Sequence, residues 1–274
     1  MTPVPTGAAR FVTIGDRRLE YQWHGPSPPQ APTIVFLHEG LGAITRWRGF
    51  PAELCARLGW SGLVYNREGY GASDPLREPL LPAFMHHEAL DVLPRLIDAF
   101  AIETPGLFGH SDGGSIAVIY AGSGHPGRAL VLEAPHVFVE PVTVTSIAAL
   151  SNMYRSNEAL RCRLARHHGQ QVDRLFTFWT DVWLSDQFRS WNIESYLPAV
   201  TCQSLVIQGH DDEYGTVRQV ETIRDGVSGH VETLILDDCG HSPHIDRRDA
   251  VETAAIDFLQ RLTVGLEKAD ASGT

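Results

Sequence analysis

Ser111 lies at the centre of the run Gly109–His110–Ser111–Asp112–Gly113–Gly114, after a short apolar stretch and before a helix-like one. In that strand–turn–helix setting a G-x-S-x-G pattern reads as a nucleophile elbow. The turn is tight and strained, so the residues two positions either side of the serine must be very small, and Gly109 and Gly113 are. The turn lifts the serine Oγ off the sheet and aims it at the start of the next helix, where free N–H groups favour developing negative charge. A serine hydroxyl is a weak nucleophile until a base takes its proton. That base is expected to be a histidine late in the chain, oriented by a carboxylate lying between the two in sequence. His241, in DDCGHSPH, follows the last predicted strand, and Asp211, Asp212 and Glu213 follow the strand before it. These residues predict acyl transfer: attack by Ser111, proton transfer through His241, and a carboxylate that fixes the imidazole.

The elements that must hold them are legible in outline. PTIVFLH (32–38), GLVYN (62–66), GLFGH (106–110) and ALVLEAP (129–135) are short and almost wholly apolar, as strands covered on both faces are. SLVIQGH (204–210) and ETLILDD (232–238) resume the pattern, and FVTIG with RRLEYQWHG reads as a hairpin of antiparallel edge strands. Helix-like segments lie between the strands. One of them, AFMHHEALDVLPRLIDAF, is expected to bury Leu90, Leu93, Ile97 and Phe100 on one face, with a kink at Pro94. The fold class is therefore α/β, a mostly parallel sheet of about eight strands flanked by helices. Residues 1–135 and 201–264 form the predicted core. Residues 136–200 break the rhythm, with helical character and Phe176, Phe178, Trp179, Trp183, Phe188, Trp191 and Tyr196, and read as a cap over a substrate pocket. The small, polar tail at 265–274 is expected to fray.

The ordered motifs resemble those of the α/β-hydrolase superfamily along nearly the whole chain. FLHEGLG (36–42) is similar to the family's H-G loop, and NREGYGASDP (66–75) to its D-x-x-G-x-G-x-S-D stretch, while GHSDGG, GHDD and CGH take the elbow, acid and histidine positions. The resemblance implies a Ser111–Asp212–His241 triad, the acid being fourth in a G-x-x-D that begins at Gly209. Asp211 and Glu133 are the alternative acids, Glu133 because some relatives place the acid after the sixth strand. It implies an oxyanion hole formed by the Asp112 N–H together with that of Gly40 or Leu41. One residue departs from the pattern: Glu39 stands where the family usually has glycine. A carboxylate aimed at an oxyanion site would repel the charge formed there. Glu39 is therefore expected to point away and hold the loop, the alternative being that it shapes the pocket. His136, Phe138, Trp179 and Trp183 join Glu39 as expected pocket residues. His38 is expected to support its loop and His110 to pack beneath the elbow.

Composition narrows the function class. A formal charge of −11 argues against binding nucleic acid or an anionic membrane surface. No stretch has the length of a membrane span, no secretory leader is apparent, and four scattered cysteines fit reduced thiols in a cytoplasmic protein. The sequence holds no dinucleotide fingerprint, no phosphate loop and no histidines at metal-ligand spacing, so no cofactor and no metal are expected. The partner expected is a small-molecule substrate. Hydrolysis of an ester or thioester of a small apolar or aromatic compound is the leading reading. Carbon–carbon bond hydrolysis of ring-cleavage-type products, with Arg67 or Arg155 anchoring a carboxylate, is the first alternative. A cofactor-free dioxygenase or lyase and a non-enzymatic binding protein follow. Epoxide hydrolases and haloalkane dehalogenases of this superfamily carry aspartate where Ser111 stands.

Overall fold

The computed structural model describes residues 10–272, with side chains through residue 262. The expectation that no leader precedes the core falls on residues outside those described, and of the tail expected to fray at 265–274 only the backbone through Ser272 is described, as the end of a helix. In chain order the elements are β1 (Arg10–Ile14), β2 (Arg17–His24), β3 (Thr33–Leu37), α1 (Phe50–Leu58), β4 (Ser61–Tyr65), α2 (Phe84–His87), α3 (Leu93–Ala99), β5 (Gly106–His110) and α4 (Asp112–Gly122). They continue with β6 (Ala129–Glu133), α5 (Pro141–Ser156), α6 (Glu158–His168), α7 (Val172–Leu184), β7 (Gln203–Gly209), α8 (Val217–Gly226), β8 (Val231–Leu236), α9 (Pro243–Asp246) and α10 (Arg248–Ser272).

The strands form one eight-stranded sheet in the order β1-β2-β4-β3-β5-β6-β7-β8. β1 and β2 pair antiparallel, and β2 pairs antiparallel with β4, so the predicted hairpin closes one edge with only β1 outermost. The remaining pairs are parallel. β3, β4, β5 and β6 are buried along their whole length, the signature of strands covered on both faces. Alternate residues go to opposite layers. Val35 and Leu37 join Leu107, Leu130 and Ile116 on one side of the sheet. Ile34 and Phe36 join Phe108, Phe50, Val251 and Phe258 on the other.

α4 is apolar on every side because it runs through the middle of the molecule, and its residues from Asp112 to Ala121 are buried. The predicted helix before β5 departs from expectation. Residues Glu88–Val92 form a π-turn and α3 starts only at Leu93. Pro94 has no N–H to give the carbonyl four residues back, and the wider turn absorbs that loss while rotating the following face. Leu90 consequently stands 41% exposed, and Met85, Ala89, Leu93, Leu96 and Ile97 carry the burial instead. Between β6 and β7 the chain leaves the sheet as α5, α6 and α7. Over 136–200 the only strand-like pairing among the described residues is a single bridge between Phe138 and Asn192.

Candidate active site

Ser111 links the end of β5 to α4 at φ 54°, ψ −117°, a backbone conformation non-glycine residues rarely adopt. The surroundings enforce it. A Cβ on Gly109 would collide with the Gly113 carbonyl, and one on Gly113 with the Leu37 carbonyl of the neighbouring strand. The Ser111 N–H donates to the Glu133 carbonyl at 2.8 Å, and its own carbonyl accepts from Gly114 and Ser115 at 2.8 and 3.1 Å. The elbow is thus locked by β6 on one side and the first turn of α4 on the other.

His241 arrives from the loop between β8 and α9. Its Nε2 lies 2.9 Å from Ser111 Oγ, and its Nδ1 lies 2.9 and 2.8 Å from the two Asp212 carboxylate oxygens. Asp212 sits just beyond β7 and is tied down further: Oδ1 accepts from the Tyr214 and Gly215 N–H groups at 2.7 and 3.2 Å, and Oδ2 from Gln208 Nε2 at 2.6 Å. Burial pushes the Asp212 carboxyl up, but His241 and the Tyr214 N–H outweigh it, so the group is held below its ordinary range. The two alternative acids lie elsewhere. Asp211 is exposed. Glu133 contacts His244 Nδ1 at 2.7 Å rather than His241.

Ser111 and His241 open onto a cavity of about 310 Å³ between the sheet and the helices α5–α7. Gly40, Leu41 and Asp112 line it beside the serine, and Glu39, His136, Trp179 and Trp183 form part of its wall. Phe138 does not. Past buried Val137 the chain turns outward to bridge Asn192, and the Phe138 ring lies 5.5 Å beneath the Arg218 guanidinium instead. Arg67 and Arg155 are also absent from the lining. Arg67 is spent on the loop, its two terminal nitrogens donating to the His38 and Glu39 carbonyls at 2.9 and 3.0 Å, and Arg155 is exposed on α5. The arginines that do reach the cavity are Arg46 and Arg163.

Sequence reasoning passed over the apolar side of this wall. Thr143, Ile147 and Leu150 of α5 and Leu160 and Leu164 of α6 line the cavity. They recur at the three- and four-residue spacing of one helix face, a signal present in the sequence but overshadowed by the aromatics. Trp179 binds more than the wall. Its Nε1 donates to Asp112 Oδ2 at 3.1 Å, and its indole covers Gly40 so closely that a Cβ there would clash with it. His136 is buried 5.8 Å, ring to ring, from His241 and 5.5 Å from Trp183. Burial, helped by neighbouring His241, pushes its imidazole down to about 4, so it is neutral at physiological pH.

Glu39 lines the cavity and turns its carboxylate toward Arg46 and His110. Its carboxylate accepts from Arg46 Nε at 3.1 Å and faces His110 Nδ1 at 3.5 Å. Burial alone would raise its carboxyl, but His110 and Arg46 hold it well below the ordinary carboxylate range. His38 supports the same loop, with Nδ1 2.7 Å from the Glu39 carbonyl. His110, Glu133 and His244 also meet, their ligating atoms within 4.8 Å of one another. Glu133 and His244 are in direct hydrogen-bonding contact at 2.7 Å.

The sequence profile of the alpha/beta hydrolase family matches residues 34–254, most of the chain. The chain belongs to the alpha/beta hydrolase family. The sequence matches no curated protein. Among solved structures it is similar to a carboxylesterase of the thaumarchaeon Nitrososphaera gargenis, at TM-score 0.78 and 17% identity over 93% of this chain and 100% of that one. It is similar to the enol-lactonase of Burkholderia xenovorans, at TM-score 0.72 and 18% identity over 92% and 100%. It is also similar to a 2-hydroxy-6-oxo-6-phenylhexa-2,4-dienoate hydrolase from a Rhodococcus strain, at TM-score 0.75 and 17% identity over 92% and 100%. At such identities the likeness establishes a shared fold. Among the described residues no helix of this family member is long and apolar enough to cross a membrane.

Proposed function

We propose that the protein is a serine hydrolase that cleaves a carboxylic ester or thioester of a small apolar or aromatic substrate through an acyl-enzyme. The observation that carries this reading is the hydrogen-bonded chain Ser111 Oγ–His241 Nε2–Asp212, at 2.9 and 2.8 Å, at the floor of a cavity. In the first step His241 Nε2 takes the Ser111 proton as Oγ attacks the substrate carbonyl carbon. Asp212 accepts from Nδ1, fixes the tautomer that leaves Nε2 free, and stabilises the imidazolium that forms. The Asp112 N–H, in the first turn of α4 where no intrahelical acceptor exists, and the N–H of Gly40 or Leu41 receive the oxyanion. His241 then returns the proton to the leaving alcohol or thiol. In the second half it activates water, which releases the acid and restores the serine.

The substrate class follows from the wall. Leu41, Ile147, Leu150, Leu160, Trp179 and Trp183 give the cavity an apolar side, to which Arg46, Arg163 and Glu213 add charge, and its volume suits a substrate of modest size. The test is Ser111→Ala assayed on p-nitrophenyl esters of increasing chain length. Turnover is expected to fall by about 10⁴-fold or more with the fold intact, and a fluorophosphonate is expected to label the wild type but not the variant. Unchanged turnover in Ser111→Ala, with His241→Ala inactive, would instead point to chemistry performed by the histidine alone.

A further inference from the structure

His110, the residue before the serine, is completely buried and takes no place in the mechanism above. Both of its ring nitrogens face acceptors. Nε2 lies 2.7 Å from the carbonyl oxygen of His241, which can only accept, and Nδ1, buried and without a hydrogen bond, lies at an ion-pair distance of 3.5 Å from the Glu39 carboxylate. The form of imidazole that donates to the carbonyl and pairs its charge with the carboxylate is the doubly protonated one. One further neighbour suits that charge. Glu133, its register partner at the end of β6, is buried beside it. The rings of His241 and His244 lie 5.3 and 5.1 Å away. Glu133 in turn receives the His244 N–H and Nδ1. Glu39 is held from the far side by Arg46.

We propose that His110 is a positioning residue: as a buried imidazolium clamped between Glu39 and Glu133, it anchors the His241 backbone and the HEGLG loop against the elbow. The proposal rests on the serine-hydrolase reading, since it assigns what sets the register of that reading's base and oxyanion loop. Nucleophile and base are cross-linked one residue behind the reacting atoms, Ser111 to His241 by side chains and His110 to His241 by side chain and carbonyl. Glu39, the residue that departs from the family pattern, becomes the counter-ion of this clamp. Burial opposes the charge on His110, but Glu133 and Glu39 overcome it and raise the imidazole to about 9.

The experiment compares wild type with His110→Ala, His110→Gln and Glu39→Gln. A misplacement of about 1 Å costs roughly 100-fold in rate, so His110→Ala is expected to lose kcat on that scale while KM stays within about twofold. Glutamine can donate to the His241 carbonyl without charge and is expected to recover part of the loss. The wild-type rate should decline with a midpoint near pH 9, where His110 gives up its proton, and that limb should disappear in His110→Gln. A readout independent of turnover is the downfield proton resonance of His241 Nδ1–H bound to Asp212. It is expected to be sharp in the wild type, broadened in His110→Ala and restored in His110→Gln. Should His110→Ala fail to fold, His110→Gln and Glu39→Gln decide the matter by pH profile and resonance. Wild-type kcat, pH limb and resonance in the variants overturn the proposal. A wild type that neither hydrolyses an ester nor reacts with a fluorophosphonate overturns the hydrolase reading instead, and the resonance still decides the clamp.

Discussion

Asp212 shows how much one side chain is asked to do. Its Oδ1 is committed to the Tyr214 and Gly215 N–H groups, and its Oδ2 to Gln208 Nε2, while both oxygens face His241 Nδ1. In Asp212→Asn the amide oxygen would keep the place facing the two backbone donors, because an NH₂ group there would meet N–H against N–H. The NH₂ group would then fall where Oδ2 stood, the Gln208 amide turning its otherwise unpartnered Oε1 toward it, and donate to His241 Nδ1, forcing the ring proton onto Nε2. A protonated Nε2 cannot accept from Ser111. The variant is expected to fold and to lose about 10³- to 10⁴-fold in kcat at neutral pH, measured on the best ester of the panel. A loss under tenfold would show that Asp212 does not set the tautomer. Asp212, Ser111 and His241 were legible in the sequence because each belongs to a motif whose spacing is dictated by local backbone. Phe138 was not placed correctly because its direction depends on where the chain meets Asn192, a contact 54 residues away that no local pattern encodes.

At the scale of elements, the sheet could be read closely because its inner strands are covered on both faces and so write unbroken apolar runs. β5 matches the predicted 106–110 at both ends. Where burial and hydrogen bonding compete, the reading slipped: Pro94 introduced a π-turn and rotated Leu90 out to solvent. The helical insertion α5–α7 shows in the sequence as a break in rhythm, but its attachment does not. α7 fastens to α4 through Trp179 Nε1 and Asp112 Oδ2, two fully interior groups 67 residues apart. Burial raises the Asp112 carboxyl, and the indole N–H is among the groups that moderate this. Trp179→Phe keeps the ring over Gly40 but removes the donor, leaving a buried carboxylate short of a partner. The expected cost is about 1–3 kcal/mol of stability, read from urea unfolding, with Asp112→Asn in the same background recovering part of it. A Trp179→Phe variant as stable as the wild type would mean that the indole contributes by packing alone.

Over the whole molecule, His168 joins three regions that are remote in sequence. At the end of α6, its Nε2 lies 3.1 Å from the Leu41 carbonyl in the loop after β3, and its Nδ1 accepts from the Gly71 N–H at 3.2 Å in the loop after β4. That pattern fits only the neutral ring with its proton on Nε2, because a second proton on Nδ1 would face an N–H. Burial accordingly pushes the imidazole down to about 4, below the 6.5 of an unfolded histidine. The unfolded chain therefore binds more protons than the folded one between pH 6.5 and pH 4, and stability contributed by this residue is present above that window and lost as pH falls through it. Other buried groups titrate over the same range, so the comparison that isolates His168 is a difference. His168→Gln, whose amide cannot titrate, is expected to be less stable than the wild type at pH 7. The gap should then narrow by up to about 1.4 kcal/mol per pH unit as pH is lowered toward 4. Chemical unfolding of both proteins across that range is the measurement. A gap that stays constant would mean that His168 is not held neutral, and that α6 is joined to the two loops by something other than this ring.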